Sequence, residues 1–554
     1  MRKPVRATRA PHARPVILSG AVVTAAYVST MARTVTRWDA GEFIAAVHSL
    51  GIPHPPGTPL YVIAARVWAM LPLPLHFAAR VNLFSAVCGA AAVTLIGLLV
   101  RRWTRDGVAG AAATLCAGGT ATLWLSATEA EVYAPAFLAA VLLLAIPEWV
   151  RGGSHTIWTL LAFAAGLAWT LHPVALVTLP AAVLLAFDRP GTEAPPGRGK
   201  LWKFAAPVGA ALLGISVVLF LLIRAQHDPP INQGNPVTIG ALRDVLMREQ
   251  YPSYGFWPRQ APLWLQLGNW FEYADWQFAL GLSPGAPPSW LRTPITVLFA
   301  LLGAVGLAAH RRIDRRSWRA MMLAFLAATV GLVLYLNMRL GPSFGGDFLP
   351  AGALREARER DYFFTAAFVL WGAWAGLGAV VLARRAGGGP RELEVGGRAR
   401  RATSWLTAAV IVSAAPLLLN YRYIHAERAA AGWITRTEAV GILESLPADA
   451  VFLALGDNDT YPLWYAQVVE GVRPDVAVIT VPLLATRWNR EEVARRHGFM
   501  SLLTAAGTTG AVVAVCNDAA ARSRPVFLTP YAPTSRLSAQ CPRLQATGTP
   551  VNPG

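Results

Sequence analysis

The sequence predicts a mostly helical, polytopic transmembrane bundle that carries a small C-terminal α/β unit. Three observations predict it. Hydrophobic residues make up 54% of the 554 and charged ones only 14%, with a mean hydropathy of +0.41, whereas soluble chains carry charge on about a quarter of their residues. Apolar runs long enough to cross a bilayer, about 17–25 residues each, recur along most of the chain. After Asn420 the pattern changes to short apolar segments separated by turn residues.

The apolar runs fall at residues 15–32, 80–100, 107–126, 132–150, 156–171, 174–188, 203–223, 292–309, 319–338, 362–383 and 403–419, about eleven spans by the length rule. The first follows a basic segment, MRKPVRATRAPHARP, and has the outline of a signal peptide. No small-residue cleavage site follows it, so it is read as a retained first span. With the N-terminus inside and the spans alternating, every inside connection carries Lys or Arg: Arg101 to Arg105, Arg151 to Gly153, Arg189 to Lys203, His310 to Arg319 and Arg384 to Arg401. The outside connections Ser126 to Val132 and Leu171 to Pro173 carry none, as the positive-inside rule requires of short loops. The expected plan is a basic cytoplasmic tail over 1–14, a membrane domain over 15–420 with external loops at 33–60 and 224–291, and an extracytoplasmic α/β unit over 421–554.

The net charge of +18 has no nucleic-acid motif around it and is explained by the inside loops, so nucleic acid is excluded as a partner. The 20 Trp and 21 Phe suit membrane interfaces. In the loop from Arg224 to Trp290 the aromatic run QYPSYGFWPRQAPLWLQLGNWFEYADW suits either an interfacial segment touching an amphipathic ligand or a loop packed on the bundle. The linker RRAGGGPRELEVGGRARR reads as flexible. Beyond Asn420, Thr437 to Leu446 reads as an amphipathic helix, Ala450 to Leu455 and Pro474 to Pro482 as buried strands, and Tyr461 to Glu470 as the helix between them. That order implies a parallel pair. From Thr529 onward the chain reads as poorly ordered. Cys88 and Cys116 read as small buried hydrophobes, and Cys516 and Cys541 as either a disulfide or two free thiols.

No Walker A, H-E-x-x-H, paired C-x-x-C or G-x-S-x-G sequence is present, which removes the direct routes to a nucleotide-driven pump, a zinc protease or a serine hydrolase. What remains is acid, His and Arg on the outside loops. Asp39 and Glu42, three apart in RWDAGEFIAAVHSLGIPHPPGTPLY, share a face if helical. They serve either as a cap at a helix entrance or as a general base with a positioning or metal-binding partner. The turn His54-Pro55-Pro56-Gly57 ends that segment. Glu129 and Glu131 sit two apart at the end of a span, and Tyr133 reads as an interfacial anchor. His54 and His172 are structural residues or site members, with metal coordination left open. In LREARERDYFF, Arg355, Arg358, Arg360, Asp361 and Tyr362 form either a solvated juxtamembrane run or an Arg clamp for phosphate, to which Arg80 would add. The turn Gly456-Asp457-Asn458-Asp459-Thr460 is explained by turn chemistry.

Five stretches in order, WDAGEFIAAVHSLGIPHPPGTPLY, RVNLFSA, ATEAEVYA, ARERDYFF and GDNDTYPLWYAQVVEGVRPDVAVI, resemble a family of multi-pass membrane proteins whose eukaryotic members include an endoplasmic-reticulum protein O-mannosyltransferase. Its architecture is similar to the GT-C glycosyltransferases. The resemblance runs from residue 34 to about 484 and implies an inverting transfer of a mannose-like hexose from a polyprenyl-phosphate carrier to a hydroxyl of a protein or glycan acceptor, on the extracytoplasmic face. It implies that Asp39 or Glu42 is the base and that Arg358, Arg360 and Arg80 face the donor phosphate. His54, Glu129, Glu131, His172, Asp361 and Tyr362 are then candidate substrate contacts, and a bacterial-type plasma membrane is the expected location. A divalent metal is left open. The competing readings are a transporter or flippase of a polyprenyl-linked glycan, which calls for midplane polar groups and repeated halves, and a non-catalytic assembly factor.

Overall fold

The computed structural model describes residues 12–151, 153–188, 200–251, 255–285, 287–345, 348–350, 352–387, 396–529, 541 and 544–546. Most of the basic tail, the middle of the Gly- and Arg-rich linker and most of the chain after Thr529 lie outside the described residues.

The chain opens with α1 (Arg14–Thr30), followed by the short α2 (Ala40–Ser49) and α3 (Pro59–Ala69). Then come α4 (Phe77–Thr104), α5 (Gly107–Gly118), α6 (Ala121–Ala127), α7 (Tyr133–Trp149), α8 (Ser154–Leu171) and α9 (Leu179–Phe187). Next are α10 (Lys200–Ile215), α11 (Leu219–Ala225), α12 (Ile239–Met247), α13 (Leu263–Asp275), α14 (Thr293–Ile313), α15 (Arg315–Leu326), α16 (Leu332–Leu336), α17 (Thr365–Ala386), α18 (Gly396–His425) and α19 (Ala431–Ser445). The segment α12–α13 occupies what the sequence presents as a long external loop.

Among the described residues, six helices are long and apolar enough to cross a membrane, or seven if the bent pair α5 and α6 is one span. This is the profile of an integral multi-pass membrane protein. It falls short of about eleven full-length spans for local reasons. The run at 107–126 bends by 71° at Gly119-Thr120, where the chain carries no residue of high helix propensity. The runs at 132–150, 156–171 and 174–188 form apolar helices of 10–17 residues, and the last begins as a 3-10 turn, Pro173–Thr178. The helix α3, apolar in character, was not anticipated.

Close helix approach is built on glycine. A Cβ on Gly306 of α14 would lie 1.8 Å from the Trp374 carbonyl oxygen, and one on Gly378 of α17 would lie 1.9 Å from that of Leu302. Such contacts replace hydrophobic driving force with backbone-to-backbone packing, as membrane helices require. One helical stretch, Thr403–Ser445, runs for 43 residues through α18 and α19, with a single π turn at Ala426–Ala430.

Beyond it lies a four-stranded sheet of β1 (Val451–Ala454), β2 (Ala477–Thr480), β3 (Val526–Leu528) and β4 (Leu544–Ala546). The order is β2-β1-β3-β4 and every pair is parallel. All four β1 residues are buried, as expected of a parallel strand covered on both faces. Val451 and Leu453 pack with α22 (Gly507–Ala521). Phe452 and Ala454 pack with α19 and α20 (Asp457–Glu470). The helix α21 (Arg487–His497) precedes α22. The helix α20 begins earlier than the sequence implies: Asp459 accepts from the Leu455 and Gly456 amides, so the acidic turn becomes the first turn of the helix. Cys516 on α22 is bonded to Cys541, and Cys88 and Cys116 are buried free thiols.

Candidate active site

The helix α2 is preceded by Trp38 in the left-handed region, φ 62°, which turns the chain so that Asp39 and Glu42 project from the first turn. Asp39 makes no side-chain cap; its carboxylate instead accepts from the Arg358 guanidinium at 2.5 Å. Both groups are largely buried. Burial alone would raise the Asp39 pKa, but Arg358, then His54 and Arg360, outweigh it and hold the carboxyl below its ordinary value.

Glu42 is fully buried and spends its acceptors on three donors: the His54 amide at 2.7 Å, His54 Nδ1 at 2.5 Å, and the Gln233 side chain. The turn His54 to Gly57 therefore folds back onto α2. Burial opposes a charged imidazole, yet the Glu42 carboxylate, with help from Asp39 and Asp457, lifts the His54 pKa to about 9. Burial likewise raises the Glu42 pKa, against the pull of His54. Asp39 faces a cavity of about 400 Å³, and Glu42 is not among its lining residues. Asp39, the expected base, thus meets the cavity, whereas converging donors keep Glu42, its expected positioning partner, behind the wall.

The same cavity is lined by Arg248, Arg339, Arg358 and Arg360. Arg358 lies over the Trp38 ring at 5.1 Å and the Tyr362 ring at 4.7 Å and donates through Nε to the Tyr362 hydroxyl. Arg360 donates to the same hydroxyl and to Glu356. Four guanidinium groups around one cavity form a strong anion site, with fork geometry suited to phosphate.

Tyr362, Tyr133 and Glu131 separate this space from a second cavity of about 550 Å³. Glu131 lines both, and burial, reinforced by Asp39 and Glu129 against Arg358, raises its pKa to about 8. Glu129 is on the second cavity only, bound by Arg428 at 2.6 Å and Thr36 at 2.7 Å. Asp361 is there too, accepting from Thr122 at 2.6 Å; the break between α5 and α6 is what presents Thr122. Tyr133 packs tilted against Tyr362, ring centroids 4.5 Å apart, and lines both cavities, so it is a wall of the site and not an interfacial anchor. His172 lines the first cavity, accepts the Val174 amide, and is driven down to a pKa of about 3, first by burial.

Arg80 is elsewhere. Its guanidinium donates to the carbonyls of Ala69 and Leu71, closing the C-terminal end of α3 as a cation there should, and it lines neither cavity. Arg355 also turns to backbone, at Gly341, Pro342 and Phe344. Among the described residues no three His, Cys, Asp or Glu side chains cluster in a way that could hold a metal ion.

Several site members carry no signal in the sequence. Gln233, Arg248 and Tyr251 lie in the long loop without periodicity. Asp457 looked like turn chemistry, and Tyr461 like an ordinary helix residue, but both line the first cavity.

Two family models match the chain: the protein O-mannosyl-transferase TMEM260 N-terminal domain over residues 39–193 and the TMEM260-associated domain 2 over residues 435–499. Among curated proteins, the protein O-mannosyl-transferase tmem260 of Dictyostelium discoideum is 22% identical, the alignment covering 84% of this chain and 57% of the relative. TMEM260 of Mus musculus is 25% identical, covering 86% of this chain and 63% of the relative. The chain thus spans about three fifths of the length of these relatives. Among solved structures, apo ArnT from Cupriavidus metallidurans aligns with a TM-score of 0.49 at 12% identity over 87% of this chain and 94% of that one. The Archaeoglobus fulgidus oligosaccharyltransferase aligns with a TM-score of 0.44 at 11% identity over 86% and 65%. In its first matched domain, which holds Asp39 and Glu131, and in its second, which holds Asp457, the chain is similar to the TMEM260 protein O-mannosyl-transferases.

Proposed function

We propose that the chain is an inverting glycosyltransferase that moves a mannose-like hexose from a polyprenyl-phosphate carrier to a Ser or Thr hydroxyl of a polypeptide on the extracytoplasmic face. The observation that carries the reading is the Asp39–Arg358 pair on the wall of a cavity lined by three further arginines. The reaction needs a base for the acceptor hydroxyl and positive charge for the departing phosphate, and these are the two things that wall supplies. Asp39 takes the hydroxyl proton as the acceptor oxygen bonds to the anomeric carbon. The bond from that carbon to the phosphate oxygen breaks, and the phosphate leaves with the electron pair, held by Arg358 and Arg360. Glu42 and His54 fix the loop that presents Asp39. Placement outside the cytoplasm is supported by the Cys516–Cys541 disulfide, a bond that persists in oxidising compartments.

The test uses purified protein in vesicles with radiolabelled polyprenyl-phosphate mannose and Ser/Thr peptides. Asp39→Asn is expected to lower transfer by about 100-fold or more, the range for loss of a general base. Equal transfer by both proteins would remove Asp39 from the chemistry. Movement of the labelled lipid between leaflets without any transfer would replace the enzyme with a flippase.

A further inference from the structure

In the C-terminal sheet β1 lies between β2 and β3, parallel to both. Open parallel sheets bind ligands in crevices outside the carboxyl ends of their strands. Beyond the carboxyl ends of β1 and β2 a crevice forms a third cavity of about 540 Å³, walled by Gly456 after β1, Ile442 of α19, Pro482 after β2 and Trp38 of the carboxylate segment. Trp38, Ala357 and Asp457 line both this crevice and the arginine-rich cavity, so the two adjoin. The junction is firm. The Trp38 amide donates to Asn458 Oδ1 at 2.6 Å, and a Cβ on Gly41 would lie 2.4 Å from the Tyr461 carbonyl oxygen, so α2 and α20 touch backbone to backbone.

The chemistry of the two spaces is opposite. The crevice has apolar surface from Ala439, Ile442, Pro462 and Leu463, with carboxylates at Asp457 and Glu438. Its one arginine among the described lining residues, Arg37, is paired with Glu438 at 3.4 Å. A phosphate is repelled by that charge and meets a single guanidinium already engaged by Glu438. An extended polypeptide with apolar and neutral or basic side chains is complementary to it.

We infer that this crevice docks the acceptor polypeptide, which passes Trp38 to present its hydroxyl to Asp39; the inference rests on the transferase reading above. Donor and acceptor then enter from differently charged spaces that meet at Trp38.

The experiment places the photo-cross-linking amino acid p-benzoylphenylalanine at Ile442 in the full-length protein, and in a second preparation at Leu125, which lines the other large cavity. Each is irradiated with a pool of 15-residue peptides carrying a central Ser or Thr between randomised positions, and adducts are read by mass spectrometry. Peptide adducts at Ile442 support docking in the crevice. No adduct at Ile442, or adducts at Leu125 alone, would overturn it. Ile442→Arg is expected to raise the KM for the captured peptide at least tenfold while the KM for polyprenyl-phosphate mannose is unchanged. An unchanged peptide KM overturns the inference. Peptide capture does not require turnover, so failure of docking and failure of the proposed reaction are read separately.

Discussion

One guanidinium, that of Arg358, holds Asp39, stacks on Trp38 and bonds Tyr362. Removing it strands a buried carboxylate. Arg358→Ala is expected to cost about 3–5 kcal/mol, the usual penalty for breaking a buried pair from one side, read as a lowered thermal midpoint of the detergent-solubilised protein. Arg358→Lys keeps the charge but not the fork, so it should recover most of the stability and little of the transfer. The His54–Glu42 contact gives a pH signature. The His54 pKa is raised in the folded state, to about 9, from an ordinary value near 6.5. Its contribution is therefore complete below about 6.5 and lost as pH rises through about 9. Thermal stability should fall across that window in the wild type and be flatter in His54→Gln; identical slopes would remove the pair as the cause. At this scale the sequence showed which side chains were costly to keep near a membrane, Asp39, Glu42, Arg358 and Arg360 among them. It could not show that Asp39 and Arg358, 319 positions apart, share one contact, nor that Gln233 would close the Glu42 shell, since nothing local distinguishes either partner.

Among the elements, the existence of the membrane helices followed from continuous apolar runs, whereas helix length did not. Gly119-Thr120 and Pro173 bend or shorten what composition presents as continuous runs, because local turn chemistry acts within a run whose average hydropathy hardly changes. The break at Gly119-Thr120 is also productive, since it offers Thr122 to Asp361. The crossing of α14 and α17 depends on bare backbone at Gly306 and Gly378. Gly306→Val is expected to cost about 1–3 kcal/mol, as overpacking does, and to lower the thermal midpoint with no change in donor KM in the fraction that remains folded. A stability equal to wild type would mean that the two helices do not approach as closely as described.

Across the whole molecule, the segments 450–455 and 474–482 contain β1 and β2, but β3 and the return through α21 and α22 gave no comparable pattern. The disulfide spans 25 positions, and closing a loop of that length restricts the unfolded chain by roughly 3 kcal/mol. Paired Cys516→Ser and Cys541→Ser substitutions should therefore make the C-terminal unit the first to be cleaved in limited proteolysis, while the membrane helices resist. The 43-residue helix through α18 and α19, at about 1.5 Å per residue, is roughly 65 Å long, twice the about 30 Å of a hydrocarbon layer. Its far half packs against the sheet and the crevice, and its near half carries the apolar run expected to cross the bilayer. It is a lever with its fulcrum at the headgroups. A thinner or thicker bilayer tilts the near arm, and the far arm then strains the Trp38–Asn458 junction. Peptide glycosylation should accordingly show an optimum in vesicle acyl-chain length, with donor KM unaffected; a rate independent of chain length would mean that the arm bends at its π turn instead of transmitting the tilt.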